Sequence, residues 1–514
     1  MNLLIRRLLC VFALGGLVTV SMAQVPQDSF PVKRAESAEQ WRRDGWNALE
    51  SAKSVKQRKG KAKNVILFIG DGMGVSTLTA ARIFEGQMRG ESGEENRLSF
   101  EEFPFSALSK TYSANQQTSD SAPTMSAIIS GVKTDEGIIS VDQRVQFNNY
   151  KTVKGNETKT LLEYAEESGR STGVVSTARL THATPAACYA HTASRDWESD
   201  ADIFTRSKDA YEAKFPDIAR QMIEFPYGDG LEVALGGGRS KFIPKEVVDP
   251  EYSDKKGERL DSRDLTREWT SKYKDSAFVW NKSQFDAIDA KRTKHLFGLF
   301  EPSHMKYEHD RLKNPAEEPS LADMTSKAID ILSNNKKGYF LMVEGGRIDH
   351  AHHDGNAYRA LKDTVALSDA VRKAVSKVNL DDTLIVVTAD HSHTFFIQGY
   401  PARGNNILGL VKEIGSNGEL EDSFKTDRDK KTYSTLGYAN GLGARGATRP
   451  VLSQEMVTDP DYKQEANIPM TSETHAGEDV AIFAMGVNAH LIRGSMEENW
   501  IFYVMADALR LGRK

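Results

Sequence analysis

The chain has 514 residues, of which 39% are hydrophobic and 27% are charged. These fractions are typical of a soluble globular protein and exclude wholesale disorder. Lysine and arginine number 67 against 72 aspartates and glutamates, for a formal charge of −5, so no basic excess indicates nucleic-acid binding. The length alone allows about two to four domains.

Residues 1–23 carry the features of a secretory signal. Arg6 and Arg7 precede an apolar run over 8–20, and Ser21-Met22-Ala23 ends it with small residues where signal peptidase cleaves. The alternative is a membrane anchor, but the apolar run is too short to span a bilayer comfortably. We therefore expect cleavage after the last of these residues and export, either to the periplasm or by secretion.

We expect neither a membrane anchor nor an intrachain disulfide in the rest of the chain. No later stretch is apolar enough to cross a bilayer, and 509–514 is basic and polar rather than a lipid-anchor tail. Without the signal, 65 basic residues face 72 acidic ones, for a charge of −7. Cys10 lies in the signal, which leaves Cys188 alone in the mature chain. No activating partner is evident beside it, which favours a buried thiol over a nucleophile.

Near-continuous apolar runs predict the fold. The N-terminal residues 24–63 are polar, with helical propensity over 37–52, and predict a helical arm. The runs that follow suit strands covered on both faces, as in a parallel sheet, and helical patterns such as 357–378 separate them. We predict a doubly wound, mostly parallel α/β sheet flanked by helices. The predicted strands are 64–69, 172–175, 339–343 and 383–387.

Acidic residues follow three of these strands. Asp71, Glu344 and Asp390 each stand at or just after the end of an apolar run. Open parallel sheets bind ligands outside the carboxyl ends of their strands, so these acids are expected to converge at one edge. Two charged, irregular segments, 200–319 and 399–472, have the composition of insertions.

Histidine is concentrated in two short clusters, Asp349-His350-Ala351-His352-His353 and Asp390-His391-Ser392-His393. On a helix, the first and last residues of the first cluster lie one turn apart on the same face. In the second cluster, Asp390 and His391 are adjacent, and both side chains can reach the same ion only if the backbone forms an irregular turn there. Carboxylate oxygen and imidazole nitrogen suit Zn²⁺. The alternative is a polar surface tract.

Ser121 precedes an apolar, helix-like segment over 124–129. A serine at a helix start is ordinarily an N-cap. The same position suits a nucleophile, because the backbone N–H groups there attract phosphate and a metal can hold the hydroxyl as an alkoxide. The serine alone does not decide between the two.

Five ordered motifs resemble the alkaline phosphatase family. They extend the likeness from about Asn64 to about Ala508. The resemblance implies that 64–514 is an alkaline phosphatase-like α/β catalytic domain. It would hydrolyse phosphate monoesters with broad specificity, through a phosphoserine intermediate on Ser121. The motifs are 65–74, 120–122 with 131–134, 343–350, 388–393 and 474–479.

The resemblance also implies two Zn²⁺ ions and one Mg²⁺ ion. The first Zn²⁺ would be held by Asp349, His353 and His475, and the second by Asp71, Asp390 and His391. Asp71 would also reach the Mg²⁺ site, together with Thr184 and Glu344, where oxygen ligands suit a hard cation. His393 would orient Asp349 by a hydrogen bond.

Four more residues receive supporting roles from the resemblance. Arg195 matches the family's phosphate-binding arginine, whose guanidinium fits two oxygens of a monoester dianion; taken alone it would be read as a surface ion pair with the residue that follows it. Asp120 is placed beside the nucleophile. His182 is expected next to the Mg²⁺ site and His350 near the phosphate.

Histidine at 182 and 350 resembles the larger, crown-bearing branch that includes the animal enzymes. In that branch the crown, here 399–472, helps to form a homodimer. Some members hold a Ca²⁺ ion, and this chain has a matching set of residues, with glutamate standing where aspartate is usual at the last position. The matching residues are Glu251, Phe300 through its carbonyl, Glu301 and Glu318.

Three alternatives remain open at this stage. A sulfatase shares the architecture but needs a C/S-x-P-x-R pattern, and the sequence from Ser121 to Met125 has the proline without the arginine. Phosphodiesterases of the superfamily usually carry a threonine nucleophile and lack the arginine clamp. An exported metal or phosphate scavenger would use the same ligands without turnover.

Overall fold

The computed structural model describes residues 27–32, 36–446 and 449–512, so the predicted signal over 1–23 lies outside the described residues. A large sheet forms the centre of the molecule, and two small sheets lie beside it. The strands are β1 (Asn64–Gly70), β2 (Phe105–Lys110), β3 (Ser171–Arg179), β4 (Val233–Gly237), β5 (Ser276–Val279), β6 (His295–Leu299), β7 (Tyr339–Gly345), β8 (Thr383–Thr388), β9 (Ser392–His393), β10 (Phe395–Ile397), β11 (Leu436–Gly441), β12 (Ala466–Pro469), β13 (His475–Ala476), β14 (Val480–Gly486) and β15 (Ser495–Glu497).

The large sheet is mostly parallel, as predicted. Its strand order is β15-β2-β14-β8-β1-β7-β3-β4-β6-β5. Strand β14 runs antiparallel to both of its neighbours, and every other pairing is parallel. The four strands predicted from apolar runs, β1, β3, β7 and β8, are adjacent at the centre of the sheet.

Helices cover both faces of this sheet. They are α1 (Ala38–Ser54), α2 (Val75–Met88), α3 (Ser121–Ser130), α4 (Leu161–Glu167), α5 (Ala183–Ala186), α6 (Asp200–Arg206), α7 (Lys208–Glu212), α8 (Ile218–Ile223), α9 (Leu265–Lys272), α10 (Lys282–Asp286), α11 (Glu308–Arg311), α12 (Leu321–Leu332), α13 (Arg347–His353), α14 (Ala357–Lys377), α15 (Gln454–Thr458) and α16 (Trp500–Leu509). Short 3₁₀ turns lie at 99–102, 150–152, 239–241 and 489–491.

Strand β1 shows why the sequence runs are continuous rather than alternating. Val65 and Leu67 point into a core that includes α3, α4, α9 and α16, whereas Ile66 and Phe68 point into a second core that includes α2, α12 and α14. All four side chains are buried. Because both faces of the strand are covered, every position is apolar.

The segment 200–319 is not confined to loops, because it supplies β4, β5 and β6 to one side of the large sheet. The segment 399–472 contains β11, α15 and β12, and β11 pairs with β10 to build a small three-stranded sheet. Helix α1 lies within 24–63, the segment predicted to be a helical arm; Ser37 is its N-cap, and none of its residues is buried. Within the described ranges, no helix combines the length and the apolar character needed to cross a bilayer.

Candidate active site

The carboxyl ends of the central strands bring the three predicted acids together. Ile69 of β1 is paired with Glu344 of β7 on one side and with Thr388 of β8 on the other. Asp71 and Asp390 follow these strand ends by one or two residues, so all three acids lie at the same edge of the sheet. The Gly72 N–H donates to Asp390 Oδ1 at 3.1 Å, which closes the turn after β1.

Only glycine fits position 72. Its φ is +68°, in the left-handed region, and a Cβ there would lie 2.3 Å from His393 Nε2. The close approach of backbone and imidazole is what lets the turn fold tightly over the site.

Ser121 lies at this edge, beside Asp71 and His391. It is the first residue of α3, and Asp120 is the N-cap, with its side chain accepting from the Ala122 N–H. The N-cap interpretation of Ser121 is therefore wrong, because the residue before it fills that role. The Ser121 hydroxyl is 3.1 Å from His391 Nε2 and 3.4 Å from Asp71 Oδ1, and the side chain is buried.

Asp349, His353 and His475 form a first candidate metal cluster. Asp349 Oδ1 is 3.3 Å from Nε2 of each histidine, and the two Nε2 atoms are 3.1 Å apart. His353 Nδ1 donates to the Glu473 carbonyl at 2.6 Å, and His475 Nδ1 to the Ser119 carbonyl at 2.8 Å. Each Nε2 therefore presents a lone pair to the other, an arrangement that a cation between them would satisfy.

His393 is in the same cluster but faces carboxylates on both sides. Its Nε2 is 2.8 Å from Asp349 Oδ1 and its Nδ1 is 2.6 Å from Glu473 Oε2. These contacts match the predicted orienting role. Glu473 was missed by the sequence analysis, because nothing in the chain marks a glutamate two residues before His475 as a partner for an imidazole 80 positions away.

Asp71, Asp390 and His391 form the second cluster, and all three are fully buried. His391 Nε2 is 3.3 Å from Asp71 Oδ1 and 3.5 Å from Asp390 Oδ2. Burial opposes protonation of His391, but the two carboxylates outweigh it and raise the pKa to about 10. The imidazole is thus held in a strongly anionic pocket that favours a cation.

A third group contains Asp71, Glu344 and His182. Burial raises the pKa of Glu344 to about 7, and it raises the pKa of Asp71 together with repulsion from Asp390. Ser176, which the sequence analysis missed, donates its hydroxyl to Glu344. The predicted ligand Thr184 is buried at the start of α5, which packs against α3 and β7.

The donor atoms left unpaired in these clusters fit metal ions. Within the described residues, several buried atoms have no hydrogen-bond partner. Buried polar atoms are normally satisfied, and oxygens and imidazole nitrogens gathered in one place are the donors that Zn²⁺ and Mg²⁺ take. The unpaired atoms are Asp71 Oδ2, Thr184 Oγ1 and Glu344 Oε1, and the imidazole nitrogen beside them is His391 Nε2.

Arg195 lies beside the nucleophile. It is ion-paired with Asp120, not with Asp196 as the surface alternative would have it, and its Nη2 is 2.9 Å from His182 Nε2. Asp196 pairs instead with Arg206. The guanidinium thus stays near the serine hydroxyl, where it can reach an anionic substrate.

His182, which contacts this arginine, belongs to a group of three imidazoles. The ring centroids of His182 and His350 are 5.3 Å apart, and His304 lies 3.9 Å from His350. Burial lowers the pKa of all three well below the usual value, so they are neutral at pH 7. His304 was missed because it stands alone in the charged segment 200–319.

The four residues predicted to bind Ca²⁺ lie near one another but do not appear as a compact ligand group among the described residues. Glu251 pairs with Arg239 at 2.9 Å, and Glu301 accepts from Tyr252 at 2.9 Å. Lys306 Nζ lies 3.5 Å from Glu301. Phe300 is buried at the end of β6, and Glu318 Oε2 is buried without a partner.

Cys188 is buried, and burial raises the pKa of its thiol well above the usual value. The prediction of a buried thiol is confirmed.

The sequence profile described as alkaline phosphatase matches residues 62–511. The chain belongs to the alkaline phosphatase family. The tissue-nonspecific alkaline phosphatase of Homo sapiens is 42% identical over 511 residues, covering 98% of this chain and 93% of that protein. The alkaline phosphatase of Gadus morhua is 42% identical over 482 residues, covering 91% and 97%.

Solved alkaline phosphatases share the fold. The Thermus thermophilus structure superposes with a TM-score of 0.62 at 23% identity, covering 89% of this chain and 93% of that one. The structure from the Antarctic bacterium TAB5 has a TM-score of 0.59 at 22% identity, covering 88% and 100%. The predicted family and fold class are confirmed, and the enzyme hydrolyses phosphate monoesters.

Proposed function

We propose that this alkaline phosphatase works through a covalent phosphoserine on Ser121. The observation that carries the proposal is the position of that hydroxyl, buried at the start of α3 and 3.1 Å from His391 Nε2. Backbone N–H groups at the helix start and the neighbouring Arg195 favour a phosphate dianion there.

The reaction has two displacements at phosphorus. In the first, Ser121 loses its hydroxyl proton to solvent, its Oγ bonds to phosphorus, and the bond to the ester oxygen breaks; the leaving group takes a proton from solvent. In the second, water attacks the phosphoserine and gives up a proton, and the bond to Oγ breaks to release inorganic phosphate. Two inversions retain the configuration at phosphorus.

We further propose two Zn²⁺ ions and one Mg²⁺ ion. Zn²⁺ would be held by Asp349, His353 and His475 and by Asp71, Asp390 and His391; Mg²⁺ would be held by Asp71, Thr184 and Glu344. Bound metals supply positive charge that lowers the pKa of a nearby hydroxyl and stabilises negative charge on phosphoryl oxygens. Activity should therefore rise toward alkaline pH. A solved relative is described with Mg bound in its M3 site.

We also propose that Glu251, Phe300, Glu301 and Glu318 bind Ca²⁺.

The test of the intermediate is acid-quenched trapping of labelled phosphate. We expect label on Ser121 in the metal-loaded enzyme and none in Ser121→Ala. Ser119→Ala is the matched control and should still be labelled, because Ser119 contacts His475 through its backbone carbonyl, which the substitution keeps. Label on another residue, or turnover by Ser121→Ala at the wild-type rate, would contradict the proposal.

Turnover rates with three kinds of ester separate the phosphatase from the sulfatase and phosphodiesterase alternatives. Phosphate monoesters should turn over much faster than phosphate diesters or sulfate esters, because the positive charge of Arg195 and of the proposed metal ions favours the dianion of a monoester over the single negative charge of the other two esters. Preferred hydrolysis of a diester or a sulfate ester would contradict this assignment.

We also propose that the enzyme is an exported homodimer. Trp41 and Trp46 of α1 are 55% and 65% exposed, and Tyr400 and Ile468 of the crown-like segment are 85% and 58% exposed. Exposed aromatic and aliphatic groups of this size are typical of interfaces. Light scattering should give twice the chain mass, and N-terminal sequencing of the exported protein should begin at Gln24.

A further inference from the structure

The edge of the sheet opposite the metal clusters carries an unusual concentration of positive charge. A cavity of ≈ 530 Å³ opens there, at the beginnings of the adjacent strands β1, β3 and β7. With strands of seven to nine residues, this edge is about 20 Å from Ser121. The cavity is lined by Lys61, Ala62, Lys63, Ser168, Arg170, Lys336 and Lys337; we call it the basic cleft.

Tight turns hold the cations of the basic cleft close together. Gly169 and Gly338 have φ of +72° and +97°, and a Cβ at Gly338 would lie 2.0 Å from the Lys63 carbonyl. Asn335 Nδ2 donates to the Gly169 carbonyl at 3.0 Å and so ties the loop before β7 to the loop before β3. The cleft is therefore preformed by the fold.

The charges of the basic cleft are not neutralised by the protein. The five cationic side chains of the cleft are those of Lys61, Lys63, Arg170, Lys336 and Lys337. Within the described part of the chain, none of them has a carboxylate within 4 Å, because all the ion pairs are formed by other residues. Arg170 is buried, and burial lowers its pKa because no acid compensates. This lack of partners stands out in a chain with a net charge of −5.

Helix ends explain only part of this charge. Arg170 donates to the Leu509 carbonyl of α16 at 3.1 Å, and Lys337 Nζ lies 3.5 Å from the Ser168 carbonyl at the end of α4. A helix C-terminus supplies about half a negative charge. Two such ends leave about four of the five positive charges unbalanced.

We propose that the basic cleft binds a compact polyanion that carries several phosphate or sulfate groups. A cleft lined by charges of one sign focuses the field and attracts ligands of the other sign. Its volume is within the range of small-molecule sites and exceeds what a single phosphate fills. Lysine and arginine are the side chains that bind such groups. The site is separate from Ser121, and the proposal does not depend on the catalytic mechanism.

The test uses myo-inositol hexasulfate with the metal-loaded wild-type enzyme, measured by titration calorimetry. A second arm uses tripolyphosphate with Ser121→Ala, which separates a sulfate from a phosphate source without hydrolysis of the probe. Lys336→Glu/Lys337→Glu should weaken binding by about tenfold or more, with unchanged hydrolysis of p-nitrophenyl phosphate. Added salt should weaken wild-type binding.

The matched control is Lys255→Glu/Lys256→Glu, an exposed adjacent lysine pair lining a different surface, which should bind as wild type does. The proposal is overturned if neither probe binds, if the control loses as much affinity as the cleft variant, or if the cleft variant keeps wild-type affinity. A further outcome is that the hexasulfate competes with p-nitrophenyl phosphate equally well in the cleft variant and in the control variant. That result would assign its binding to the Ser121 site and would also overturn the proposal.

Discussion

Arg195 is held between Asp120 and His182, and this geometry sets what a change at that position should do. Its guanidinium can offer two N–H groups to one phosphoryl group, whereas lysine offers a single point charge. We expect Arg195→Lys to raise KM for p-nitrophenyl phosphate and weaken inhibition by inorganic phosphate by about tenfold or more, with a smaller change in kcat.

Arg206→Lys is the control for this prediction, because Arg206 is an exposed arginine paired with Asp196. Its kinetics should match the wild type. Equal effects of the two substitutions on KM would show that Arg195 acts through general charge and not through a fork on the phosphate.

The residues that the sequence predicted and those it missed differ in a physical way. Asp349 and His353 are one helical turn apart, so their meeting at a common point follows from the geometry of α13. Glu473 and Ser176 reach their partners only through the pairing of distant segments. His304 also depends on tertiary contacts, since its two ring neighbours are His182, at the start of α5, and His350 of α13. No local spacing marks such residues.

At the scale of elements, two buried carboxyl groups join α4 to the strands beside it. Thr172 of β3 donates its hydroxyl to Glu166 Oε1 and its N–H to Glu232 Oε2, each at 2.6 Å. Burial and mutual repulsion raise the pKa of Glu166 to about 10, and burial raises that of Glu232 to about 8. Both are protonated in the folded enzyme at neutral pH.

This pair makes stability depend on pH. A carboxyl with a raised folded pKa contributes stability that is fully present below its unfolded pKa of 4.5 and is lost as pH rises through the folded value. The contribution of this pair to the free energy of unfolding should therefore fall between pH 5 and pH 8. In Glu232→Gln this fall should be smaller by at least about 1 kcal/mol, as measured by urea denaturation. Glu212→Gln, at an exposed position of α7, should keep the wild-type dependence, and an unchanged slope in Glu232→Gln would refute the assignment.

The strands show where sequence patterns succeed. The runs at 64–69 and 383–387 became β1 and β8 because strands covered on both faces must be apolar throughout. Strands β4 and β6 escaped prediction because they are short and contain glycine, and β14 because one face is only half covered. Their place in the sheet is decided by the neighbours they pair with.

At the scale of the whole molecule, the metal clusters join segments from across the chain. Their carboxylates are buried close together and some of their oxygens have no partner, so bound cations would offset the repulsion and satisfy these atoms. A ligand that binds only the folded state at 1,000 times its Kd stabilises that state by about 4 kcal/mol. We therefore expect a chelator to lower the Tm measured by calorimetry and to abolish hydrolysis. Zn²⁺ with Mg²⁺ should restore both, whereas Ca²⁺ alone should not restore hydrolysis. A Tm that does not change when the chelator is added would contradict the proposed metal sites.

Asp71 belongs to two of these clusters at once, since its Oδ1 faces His391 while its Oδ2 is unpaired near Glu344. A first cation would favour the charged form of this carboxylate and so prepare it for the second. Zn²⁺ should thus bind more tightly when Mg²⁺ is present, and thermodynamic reciprocity requires Mg²⁺ to gain by the same factor. Paired titrations at pH 7 measure both factors, and independent affinities would disprove the linkage. If the linkage holds, a low concentration of one metal also weakens binding of the other, so the enzyme loses activity even where the second metal is plentiful.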